Sequence, residues 1–155
     1  MSGSLIEALS LTWEMYRDAI EDIPEDHWRT GEIDYLIPSR LILHALEAAD
    51  AYSSPEEFTS GYRFSIDWEA APPERLPTKE QARIYLREVE GKTESWLGSL
   101  DDSDLLSSET ELPWTGSTLL GRALYMLAHC RQHLGEVNAE LRRRGLPRVK
   151  WRTIG

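Results

Sequence analysis

The feature that most constrains this chain is one long run of helical periodicity near its C-terminal end. From about Ser117 to Arg144, apolar residues return every third or fourth position, through Leu119, Leu120, Ala123, Met126, Leu127, Cys130, Leu134, Val137 and Leu141. Gly145 and then Pro147 supply the stop. A helix carrying one apolar stripe must bury it against other elements. Those the chain offers are again helical. Residues 4–22 line up Leu5, Leu9, Trp13, Tyr16 and Ile20, with Ser4 the expected N-cap and Ile23-Pro24 the stop. Residues 39–52 follow Pro38, with Ser39 the expected cap, and are apolar around most of the circumference, which predicts a well-buried helix. Thr78 and Gln81 form a capping-box pattern for a third long helix, 78–100, that tolerates Gly91. No strand alternation separates these segments. The expected fold is all-α: one domain over 1–155, an antiparallel four-helix bundle with long loops at 53–76 and 101–116. A short helix is expected in the first loop, at Ser53–Ser60. Connections of this length are either packed caps on the core or a lid.

Composition narrows the partners. The chain has 155 residues, 17 Lys+Arg and 27 Asp+Glu, a formal net charge of −10. Nucleic acid and anionic membranes both require clustered cations, so neither is an expected partner. The basic run Arg142–Arg144 lies where cations complement a helix dipole. Cys130 is the single cysteine, which excludes an internal disulfide and suggests a reducing compartment. With no apolar run long enough to span a bilayer and no basic segment at the start, the expected location is the cytoplasm.

The histidines carry the chemistry. There are four: His27, His44, His129 and His133. His129 and His133 lie four apart on the longest helix, so both rings project from nearly the same face. That spacing lets one helix offer two imidazoles to one metal ion. His44 sits on an otherwise apolar face of the second helix. A third imidazole from there would complete a three-histidine site with open coordination positions, the arrangement of catalytic metal centres. The alternative is a set of hydrogen-bonded core histidines. Against it, His133 and His44 both occupy apolar stripes, where a lone imidazole is costly to bury. Glu47 and Glu136, three residues beyond His44 and His133, are candidate supporting carboxylates or general bases, or else solvated. His27 reads as a loop residue and Cys130 as a small core residue. The six tryptophans read mostly as core. Phosphate loops, nucleophile elbows, Cys-x-x-Cys pairs and the Glu-x-x-His di-iron pattern are all absent.

The segments LILHALEAADAY and LAHCRQHLGEVNAELRRRGLP, taken in this helix order, resemble the DinB/YfiT-like superfamily. That resemblance implies a metal held by one histidine from the second helix and two from the last, which fall on His44, His129 and His133. Gln132 stands where many relatives carry the first member of a His-His doublet. The resemblance further implies a divalent transition metal, zinc or nickel foremost with iron as an alternative, and a homodimer. It implies a small-molecule substrate and thiol-dependent transfer using a low-molecular-weight thiol such as bacillithiol or mycothiol, with hydrolysis as a second chemistry. A different outcome is a non-catalytic binding module on the same scaffold, its metal structural or absent.

Overall fold

The computed structural model describes residues 1–55 and 63–154. Six α-helices occur among them: α1 Ser2–Asp22, α2 Glu25–Trp28, α3 Pro38–Ser53, α4 Lys79–Gly98, α5 Asp102–Leu105 and α6 Leu119–Arg143. Single 3-10 turns at Asp34–Leu36, Pro73–Arg75 and Pro113–Thr115 punctuate the connections. No strand occurs among the described residues, and none of their helices is long and apolar enough to cross a membrane.

The four long helices are those the periodicity predicts, with two corrections at their starts. Helix α1 begins at Ser2, so Ser4 lies inside it and caps nothing; the Met1 ammonium is bound 2.7 Å from Asp102 instead. Pro38 opens α3 as its first residue, where its missing N–H costs no hydrogen bond. Ser39 is therefore also inside the helix, and its hydroxyl donates to the Pro77 carbonyl at 2.7 Å. The capping box at α4 forms as expected, Gln81 N donating to Thr78 Oγ1 at 3.2 Å and Thr78 N to Gln81 Oε1 at 2.9 Å. Thr118 caps α6 through Gly121 N. Gly145, at φ 72°, ends that helix in the left-handed conformation, which lets Leu146 N close on Leu141 O at 2.8 Å.

Helix α1 packs against α4 and α6, and α3 packs against the same two, so every long helix touches two of the other three. One apolar cluster runs between them, from Leu9, Trp13 and Tyr16 through Leu41 and Ala45 to Met126 and Val137. Buried polar bonds fix the helices against one another. Tyr16 Oη donates to the Cys130 carbonyl at 2.7 Å, Trp13 Nε1 to Thr93 Oγ1 at 3.2 Å, and Tyr85 Oη to Asp50 Oδ2 at 2.7 Å.

The long connections contain more structure than the sequence suggests. Residues 101–116 hold α5 and a 3-10 turn, and the whole segment is locked onto α6. Arg122, 2% exposed, donates from Nη2 to Glu109 Oε1 at 2.7 Å and to Glu111 Oε2 at 2.8 Å, and from Nε to Glu109 Oε2. The short helix expected at Ser53–Ser60 falls mostly outside the described residues. The later part of that connection, around Phe64 and Trp68, packs on the core.

Candidate metal centre

The site lies at the seam of α3 and α6. His44 faces inward from the middle of α3, while His129 and His133 face it from successive turns of α6. One ring nitrogen from each lies within 4.8 Å of the other two. The ring centroids are 5.0 Å (His44–His129), 4.6 Å (His44–His133) and 4.4 Å (His129–His133) apart, with interplanar angles of 69–80°. The three rings surround one point instead of stacking. All three residues singled out by spacing are thus brought together.

The donor set fits a transition-metal ion. His133 Nε2 and His129 Nε2 are 3.1 Å apart. Two imidazole nitrogens bound about 2.0–2.1 Å from one ion at tetrahedral or octahedral angles would be separated by about 2.9–3.4 Å. Without an ion, only one proton can sit between those nitrogens. His129 Nδ1 is buried and has no hydrogen-bond partner among the described residues. The cluster can hold a metal ion, and its imidazoles suit zinc, nickel, iron and copper alike.

Two of the rings are kept neutral, and the third is oriented. Burial, and then the neighbouring His133 and His129 rings, lower the His44 pKa to about 3. Burial and His133 lower that of His129 to about 4, against a small opposing effect from Glu136. Neutral imidazole is the ligating form, so the site is ready to bind across the neutral range. Glu136, one turn beyond His133, approaches its Nδ1 at 2.8 Å. A proton on Nδ1 donated to that carboxylate leaves the Nε2 lone pair aimed into the cluster, the usual support of a metal-ligating histidine.

Glu47, the other candidate carboxylate, takes no part. It points from α3 toward Arg63 and the Asp50–Tyr85 pair, and no hydrogen bond joins it to a histidine. Burial pushes its carboxyl up to about 8. His27 lies on the short α2, where its carbonyl accepts from Arg144 Nη1, and is not part of the cluster. Cys130 is fully buried, its thiol pushed up to about 12 by desolvation, and is a core residue as expected.

Aromatic residues outside the sequence reading complete the surroundings. Trp68 stacks on His44 at 3.8 Å between ring centroids and 29° between planes. Tyr125 lies nearly parallel to His129 at 6.4 Å, and Tyr52 meets the same ring edge-on at 6.1 Å. Trp68 is held by Arg40, 1% exposed, whose guanidinium donates to the Trp68 carbonyl and to Ala71 O at 2.7 Å. The sequence did carry a signal for Arg40: it is the one Lys or Arg in α3, about one turn before His44. The tryptophans also divide more widely than expected. Trp13 and Trp28 are buried in the core, whereas Trp68 lines the site and Trp114 and Trp151 are exposed.

No protein-family model, curated protein or solved structure matches this chain at a significant level. The DinB/YfiT-like resemblance therefore rests on the α3 and α6 residues alone.

Proposed function

We propose that this chain is a metal-dependent enzyme of the DinB/YfiT-like kind, an antiparallel four-helix bundle binding one divalent transition metal through His44, His129 and His133. Zinc or nickel is the favoured ion, and transfer of a low-molecular-weight thiol to an electrophile is the favoured reaction. The observation that carries this reading is the convergence of three imidazoles from two helices on one point, with His44 and His129 held neutral by burial. The pairwise packing of the four long helices supports the bundle. The homodimer and the thiol rest on the resemblance.

A divalent ion held by three neutral ligands keeps its full charge and lowers the pKa of a thiol or water beside it. The protein's part is positional. Glu136 fixes the His133 tautomer, Trp68 holds the plane of His44, and the Tyr52 and Tyr125 rings pack beside His129. In the transfer itself a sulfur–carbon bond forms at the electrophile and the bond to its leaving group breaks. The thiol proton departs with that group.

Elemental analysis of protein purified without chelators or metal-affinity steps, beside His133→Ala, tests the metal. Near-stoichiometric transition metal in the parent and its loss in the variant is the expected result. At a free ion concentration of 100 Kd, binding would also stabilise the parent by about 2.7 kcal/mol and leave the variant unchanged. Metal in neither protein after incubation with zinc or nickel would overturn the reading and leave a non-catalytic binding module. A metal-loaded protein that transfers no thiol to a panel of electrophiles would remove the transferase part alone.

A further inference from the structure

A groove of about 290 Å³ is lined by Ala51, Tyr52, Pro55, Leu112 and Trp114. It shares a wall with the candidate metal centre, because Tyr52 both lines it and packs its ring against His129. None of the five lining residues is charged. Arg122, whose Nη1 reaches the Tyr52 carbonyl at 3.5 Å, is 2% exposed and has its Nε and Nη2 donors committed to Glu109 and Glu111. Trp114, 63% exposed, offers a broad indole face at the edge, held on a loop that the buried Arg122–Glu109 pair keeps in place.

Ligand pockets combine an apolar lining with a few polar groups that fix orientation. In this region the polar groups are the histidines, and the apolar lining lies next to them. A carboxylate or other anionic arm would find no uncommitted cation among the lining residues and would lose its hydration without compensation.

We propose that the groove is the specificity pocket of the metal centre, and that it receives a neutral aromatic or branched aliphatic arm of a substrate whose polar head reaches the metal. This rests on the metal reading above. It further states that selection among substrates is made by an uncharged apolar arm, whatever the reacting head.

The test uses cobalt(II)-loaded full-length protein and three hydroxamates that share one metal-binding head: acetohydroxamate, benzohydroxamate and 4-carboxybenzohydroxamate. Changes in the cobalt visible absorption report ligation of the metal, and titration gives each affinity. Benzohydroxamate is expected to bind about tenfold more tightly than acetohydroxamate, from the extra apolar area buried. The carboxylated compound should lose most of that gain. Trp114→Ala should bring the benzo/aceto ratio to within about twofold of one, and Trp114→Lys should reverse the preference toward the carboxylated compound. Because Trp114 is largely exposed, neither variant removes core packing, and cobalt uptake equal to the parent's verifies an intact centre in both. Equal benzo- and acetohydroxamate affinities in the parent, or a ratio untouched by either variant, would overturn the groove and leave the metal reading standing. Protein that takes up no cobalt would overturn both.

Discussion

Two of the places where helix α6 buries polar side chains are built in opposite ways. Near its start, Arg122 sits among Glu109, Glu111 and the Tyr52 carbonyl, and the Glu109 side chain is wholly buried against it. The second Glu109 oxygen also accepts from the Glu111 and Leu112 amides at 2.8 Å. Two to three turns on, His129 and His133 point nitrogens at each other across 3.1 Å, and His129 Nδ1 has no partner among the described residues. A satisfied buried network holds a structure together, whereas a partly satisfied one destabilises it. The first region is complete within the chain. The second is left open among the described residues, and three imidazoles around one point are suited to a cation.

The largest effect should come from breaking the complete network. Glu109→Ala leaves the Arg122 guanidinium buried with half its acceptors gone, and should lower unfolding free energy by about 3–5 kcal/mol. Urea denaturation at pH 7 measures it. Hydrogen bonds and charge from Arg122, with the loop amides, hold the Glu109 carboxyl at about 2, below its ordinary 4.5. The contribution is therefore complete above about pH 4.5 and lost as pH falls toward 2. A loss smaller than 1 kcal/mol would mean the pair is not closed off from water, and the contrast with the histidines would weaken.

A smaller effect of the opposite sign should come from Glu47. Its Oε1 is buried without a partner among the described residues, and burial raises its pKa to about 8 despite the opposing Arg63 amide. The folded protein keeps that proton up to about pH 8, while the unfolded chain gives it up near 4.5. Stability therefore falls as pH rises through that window. Glu47→Gln, which has no proton to lose, should be more stable than the parent by about 1–3 kcal/mol at pH 9, and nearly equal at pH 4.5. Urea midpoints at the two pH values decide it. A pH-independent difference would mean that Glu47 ionises freely and belongs with the solvated carboxylates.

How far this contrast was legible in the sequence depends on the range of each interaction. The histidine trio could be read because two of its members are four apart on one helix and the third stands out on an apolar face. Helix periodicity settles both, and it also gave the four long helices. The start of α3 was misjudged because Ser39 looks like a cap, and only its tertiary bond to Pro77 reveals otherwise. Trp68 and Arg40 were missed for the same reason: the bonds that hold Trp68 over His44 span 28 to 31 positions of chain. The roles of Glu47 and Glu136 could not be told apart, since each lies three residues beyond a histidine. Tertiary surroundings separate them, placing one beside Arg63 and the other against His133.

That separation supports the most discriminating prediction, although its effect is the smallest. If Glu136 serves the centre by orienting His133, Glu136→Ala should weaken zinc binding by about 10–100-fold, and Glu136→Gln, which still offers an acceptor, should recover part of it. The metal-free stability of Glu136→Gln should stay within about 0.5 kcal/mol of the parent, because its amide oxygen still offers His133 Nδ1 an acceptor. Glu136→Ala, which leaves that buried nitrogen unpaired, should lose about 1–3 kcal/mol. Competition titration against a chromophoric chelator gives the affinities, and urea denaturation with EDTA gives the stabilities. The opposite pattern, lost stability with unchanged affinity, would make the Glu136–His133 pair a structural bond of the same kind as Arg122–Glu109. The two regions of α6 would then differ in completeness but not in purpose.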